Sequence, residues 1–136
     1  MRYFFAIALL GLSVFQTQAQ TIDPAKVQTE AEALIQTYQL TAEQESEAYT
    51  IAERRLRNLS EIAHLENQNR ELFLQKKDAI RKGTLVSLKR LLTEAQRPIL
   101  QEQIVERRKR ESDLIQRMKA QGADRKAIQL AVWALD

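Results

Sequence analysis

The sequence predicts an all-α protein, and three observations predict it. Beyond residue 20 the 136-residue chain holds only two glycines (Gly83, Gly122) and two prolines (Pro24, Pro98). Ala, Leu, Glu, Gln, Lys and Arg, which lose least on entering a helix, dominate it. No segment alternates apolar and polar residues at the period of a strand.

The elements follow in order. Arg2 supplies a positive start, Tyr3 to Phe15 are apolar apart from Gly11 and Ser13, and Thr17 and Ala19 are the small residues that precede a cut before Gln20. Residues 1–19 therefore read as a secretory signal peptide, too short in its apolar run for a membrane span of about 20 residues. The mature chain, 20–136, reads as a single helical domain with no stable membrane insertion after cleavage. Its first helix takes Asp23 as N-cap and Pro24 as first residue, with Val27, Ala31, Leu34, Ile35 and Tyr38 on one face, ending near Gln39. The second starts at Thr41 and carries Ala48, Ile51, Ala52, Leu56, Leu59, Ile62 and Ala63. Glu66-Asn67-Gln68-Asn69 is the expected turn. The third helix carries Leu72, Phe73, Ile80, Leu88 and Leu91, with a stop or bend at Gly83 and a restart at Thr84. The fourth starts at Thr93, with a mild kink at Pro98, and runs to Gln121 before Gly122. The fifth is capped by Asp124 and presents Ala127, Ile128, Ala131, Val132 and Leu135. Between Val105 and Leu114 the fourth helix has no aliphatic residue, so that stretch is expected to cross solvent or a partner surface. The whole reads as long amphipathic helices around an antiparallel helical hairpin.

Two segments share one pattern. Leu40-Thr41-Ala42-Glu43-Gln44 and Leu92-Thr93-Glu94-Ala95-Gln96 both read Leu-Thr-x-x-Gln, and both stand where a helix is expected to begin. Thr followed three residues later by Gln is a capping box, in which the hydroxyl accepts from a first-turn N–H and the Gln reaches back to the Thr N–H. Each such cap stabilises a helix by about 1 kcal/mol.

Composition bounds the function. There is no cysteine, and only 6% of residues are aromatic, so an exported chain of this size is expected to complete its burial in a homodimer. The formal charge is +3 for the whole chain, but basic residues cluster at Arg54-Arg55-x-Arg57, Lys76-Lys77, Arg81-Lys82, Lys89-Arg90 and Arg107-Arg108-Lys109-Arg110. Such faces attract acidic partners and, beside Leu and Ile, offer apolar contact too. Ser46, Ser60, Ser87 and Ser112 have no nucleophile context, and no glycine-rich phosphate loop occurs, so no enzyme activity is expected. His64 is the only His and Met118 the only Met beyond the signal segment, which argues against a metal site or any cofactor. Trp133 reads as a packing residue. Basic runs suit nucleic acid, but the export signal and the lack of interleaved aromatics argue against it.

On the two Leu-Thr-x-x-Gln segments, the signal peptide and the helical composition, the chain resembles the Spy/CpxP family of periplasmic proteins, named for paired LTXXQ motifs. The resemblance implies a periplasmic, extended or cradle-shaped dimer that holds unfolded or stress-damaged envelope proteins without ATP. It also implies an alternative, a regulatory partner of an envelope-stress sensor kinase or anti-sigma system. The motif residues Leu40, Thr41, Gln44, Leu92, Thr93 and Gln96 are expected to shape the fold and to lie close together. The residues expected to meet clients are Arg54, Arg55, Arg57, Arg107, Arg108, Arg110 and Arg117.

Overall fold

The computed structural model describes residues 21–135, and the expected signal peptide at 1–19 lies outside the described residues. The described chain is all-α: α1 (Pro24–Tyr38), α2 (Ala42–Ile62), a single helical turn α3 (Leu65–Gln68), α4 (Arg70–Leu91), α5 (Arg97–Ala120) and α6 (Arg125–Ala134). No strand occurs among the described residues.

Local chemistry sets the ends. The Asp23 carboxylate accepts from the Ala25 N–H at 3.0 Å and opens α1. Gln39 closes it in the left-handed region (φ 52°), and the Leu40 N–H donates back to the Ile35 carbonyl at 3.0 Å. Asn69 ends the α3 turn and caps α4, accepting from the Leu72 N–H at 3.1 Å. Asp124 caps α6 through the Ala127 N–H at 2.7 Å. Gly122, at φ 76°, takes the left-handed conformation that releases the chain from α5.

Three expectations are corrected. Gly83 does not stop a helix: α4 runs through it unbroken. Thr84 caps nothing there, because its hydroxyl donates back to the Ile80 carbonyl at 3.0 Å within the same helix. The fourth predicted helix, α5, starts at Arg97 rather than Thr93. Residues 94–96 form a turn in which the Gln96 and Arg97 N–H groups both donate to the Thr93 carbonyl, at 3.1 and 3.0 Å. Pro98 has no N–H to return to Glu94, so the regular ladder starts later. Nor is the charged middle of α5 a bare arm. α6 folds back against α4 and α5, and the Arg107 side chain beneath it is only 12% exposed.

The main packings are α1 on α2, α2 on α4, and α6 on both α4 and α5. The start of α2 meets the end of α4, as the Gln44 amide donating to the Leu91 carbonyl at 2.8 Å records. Farther along the same pair, Arg54 Nη2 donates to Ser87 Oγ at 2.8 Å. The principal apolar cluster is Tyr38, Leu40, Ala48, Ile51, Leu88, Leu92 and Leu100, so it gathers at the two motifs. Each large side chain buried there stabilises the fold by about 1.5–3 kcal/mol.

Candidate functional site

The two motifs meet. Leu40 and Leu92 are both buried in the shared cluster. Gln44 and Gln96 face each other amide to amide: Gln44 Nε2 donates to Gln96 Oε1, and Gln96 Nε2 donates to Gln44 Oε1, both at 2.9 Å. The remaining groups repeat the same symmetry. Gln44 Oε1 accepts from the Thr41 N–H at 2.9 Å, and Gln96 Oε1 from the Thr93 N–H at 3.0 Å. The second amide proton of Gln44 goes to the Leu91 carbonyl at 2.8 Å, and that of Gln96 to the Gln39 carbonyl at 2.9 Å. Leu91 and Gln39 each stand two residues before their motif's threonine.

The arrangement is a local pseudo-twofold, and it satisfies every proton of both carboxamides. Burial without such partners would be costly, and among the described residues no buried side-chain polar atom lacks one. The two hydroxyls break the symmetry. Thr93 Oγ1 donates to Gln96 Oε1 at 3.1 Å, whereas the Thr41 hydroxyl bonds Glu43 and holds its carboxyl below the usual value. The site is therefore a joint that fixes four chain segments.

The seven expected contact arginines divide. Arg54 donates to Ser87, Arg55 pairs with Glu30 across α1 and α2, and Arg57 pairs with Glu53 one turn back. Arg107 is held inside: its Nε meets Glu111 at 2.8 Å, and its Nη atoms donate to the Leu135 and Val132 carbonyls at 3.0 and 3.5 Å. It clasps the negative end of α6, where a cation is favoured by the helix dipole. Arg108, Arg110 and Arg117 are exposed. The two clusters do not share a cavity: Arg57 lines a groove with Val27 and Tyr49, Arg108 and Arg110 line another between α4 and α5, and Arg117 joins Arg110 beside Leu114 and Leu135.

Two buried polar contacts went unpredicted, although Tyr38 itself was expected on the packing face of α1. Asp78 is 6% exposed and receives Arg81 Nη2 at 2.7 Å and Lys82 Nζ at 2.6 Å. Burial pushes its carboxyl up, but the hydrogen bonds and charges of Lys82 and Arg81 outweigh this and hold it below the ordinary value. Its signal was the Asp-x-x-Arg-Lys spacing, which puts both cations one turn away. Tyr38 donates to Gln103 Oε1 at 2.6 Å, joining α1 to α5, and burial raises its phenol above the ordinary value. Among the described residues no three His, Cys, Asp or Glu side chains are grouped to hold a metal ion. His64 is exposed. No protein-family model, no curated protein and no solved structure matches the chain.

Proposed function

We propose that the protein is a periplasmic, ATP-independent holder of unfolded envelope proteins, of the kind the Spy/CpxP resemblance implies. In this reading α2 and α4 are the antiparallel hairpin, the glutamine joint keeps the helices at fixed angles, and a homodimer presents their outer faces to clients. The observation that carries the reading is the company of exposed cations and exposed apolar side chains on the same helices. Arg108, Arg110 and Arg117 are exposed on α5, Arg108 one turn from Val105, which is 53% exposed, and Val86 on α4 is 51% exposed. Long-range attraction speeds capture of acidic chains, and dispersed apolar contacts hold them without a fixed sequence.

The test is an aggregation assay with a chemically denatured client and no nucleotide. Protection at a few protein chains per client is expected, and none at a several-fold excess refutes the reading. Capture from an envelope extract separates the regulatory alternative, which requires one stoichiometric partner in place of a mixture. Light scattering with X-ray scattering tests the dimer, and a compact monomer overturns it.

A further inference from the structure

We propose that the groove between α4 and α5 binds a single-chain anionic amphiphile, a carboxylate or phosphate head on an alkyl chain. The groove encloses about 550 Å³, within the range of small-molecule sites. Its α5 wall runs from Gln103 to Glu111, which is about 12 Å of helix.

The walls are graded in the same sense. The chain enters the 92–96 turn from α4 and leaves it along α5, so Leu85 on α4 and Gln103 and Ile104 on α5 are the lining residues nearer that turn, with Gln103 Oε1 already taken by the Tyr38 hydroxyl. Arg81 and Lys82 lie one turn farther out on α4, and Arg107, Arg108 and Arg110 one to two turns farther out on α5. One end of the groove is thus uncharged, with Leu85 and Ile104 as its apolar walls, and the other is cationic. A site with its charge gathered at one end suits a ligand built the same way, whereas an extended peptide alternates its side chains.

The cations at the outer end are not balanced. Asp78 takes Arg81 and Lys82, Glu111 takes Arg107, and only Glu106 remains on the lining to face Arg108 and Arg110. Five cations meet three carboxylates, so the end stays positive. Arg107 is held by the end of α6, which leaves Arg108 and Arg110 as the groups that take the anionic head. Planar guanidinium groups suit a carboxylate or phosphate in paired hydrogen bonds. The site shares Arg108 and Arg110 with the surface proposed to meet unfolded proteins, but amphiphile binding does not require that the protein hold such clients.

The test is calorimetric titration of the full-length chain with laurate and dodecyl phosphate, below their micelle concentrations and at low salt. One saturable site per chain is expected. Octanoate should bind more weakly, by about fourfold for each buried methylene removed. Dodecyltrimethylammonium should not compete. The double substitution Arg108→Gln with Arg110→Gln should weaken laurate at least tenfold, and helicity should hold because both side chains are exposed. Arg54→Gln with Arg57→Gln should leave binding unchanged. Amide chemical shifts should move along 81–85 and 103–111. Equal affinity for the cationic amphiphile, an unaffected arginine double variant, or shifts confined elsewhere overturns the proposal. So does binding to anionic vesicles without binding to monomeric laurate. Loss of protection in the aggregation assay with laurate binding intact sinks the chaperone reading alone.

Discussion

Replacing Gln96 with leucine tests the joint directly. The side chain is 8% exposed and takes part in five hydrogen bonds: two it donates and three it accepts. Leucine matches its size and removes them all. Thr93 and Gln39 are exposed, so their freed groups regain water at modest cost. Gln44 is half-buried and loses two partners at once, one donor and one acceptor. A net hydrogen bond is worth about 1 kcal/mol, and a polar group left unpaired in a part-buried site costs about 1–3 kcal/mol. The expected loss is about 2–4 kcal/mol, or a Tm lower by roughly 10 °C or more for a domain of this length. Gln44→Leu should cost a similar amount. The double variant should cost less than the sum by about 1–2 kcal/mol, because no amide is then left facing a leucine. Urea denaturation followed by circular dichroism measures all four chains of the cycle. Additivity within about 0.5 kcal/mol would show that the two amides do not sense each other, and the joint as described would be wrong.

Other outcomes follow from single observations. Gly83→Ala should stabilise the protein by about 0.5–1 kcal/mol, since α4 is continuous there and an added methyl meets nothing within 4 Å; Gly122→Ala should destabilise it, since φ is 76°. Urea midpoints decide both. Asp78 is held low in the folded state, so its contribution is present above the ordinary carboxylate range and is lost as pH falls through the folded value. Stability should drop below about pH 4, and Asp78→Asn should flatten that part of the profile. Tyr38 works at the other edge: its raised phenol favours the fold below pH 10, and that gain is lost as pH rises through the folded value, so Tyr38→Phe should reduce alkaline sensitivity. Arg107→Ala should release the end of α6 and change Trp133 fluorescence at a cost of about 2 kcal/mol, whereas Arg108→Ala should leave both unchanged.

Much of the fold was legible because local chemistry dictated it. Asp23 with Pro24, Thr41 with Gln44, Asn69, and Gly122 followed by Asp124 all act within a few residues of themselves, and each marks an observed boundary. The failures came where a distant partner or a missing donor decided. Gly83 carries a conformational freedom that nothing in α4 uses. Pro98 delays the second motif's helix by a turn, although Gln96 still reaches back to Thr93. The end of α1 near Gln39 was legible, but its left-handed conformation was not, because the residue there is not glycine. At the candidate site, the basic runs were visible as charge but not as direction. Arg107 and Arg108 are neighbours in sequence, yet one is clasped by carbonyls from α6 and the other is exposed. Only the fold separates them.

The two motifs also explain why one side of the molecule closes and the other opens. Counted from each threonine, Ala48 matches Leu100 and Ala52 matches Ile104. On α2 the small pair is wholly buried and lets α1 lie flush along it. On α5 the same positions carry bulky side chains, and the position matching Arg55 is Arg107. Arg55 finds Glu30 on α1, whereas the residue in α4 that matches Glu30 is Lys82, which repels a cation. The second copy therefore cannot repeat the first. α6 packs against both helices and turns its carbonyl end to Arg107, whose other partner is Glu111 on its own helix rather than a residue across the seam. What remains open between α4 and α5 is the groove lined by Leu85 and Ile104 and edged with arginine. The joint keeps its symmetry because each glutamine reaches back to its own threonine N–H and across to the other amide, and the helices beyond it diverge because their seam residues differ in size and sign.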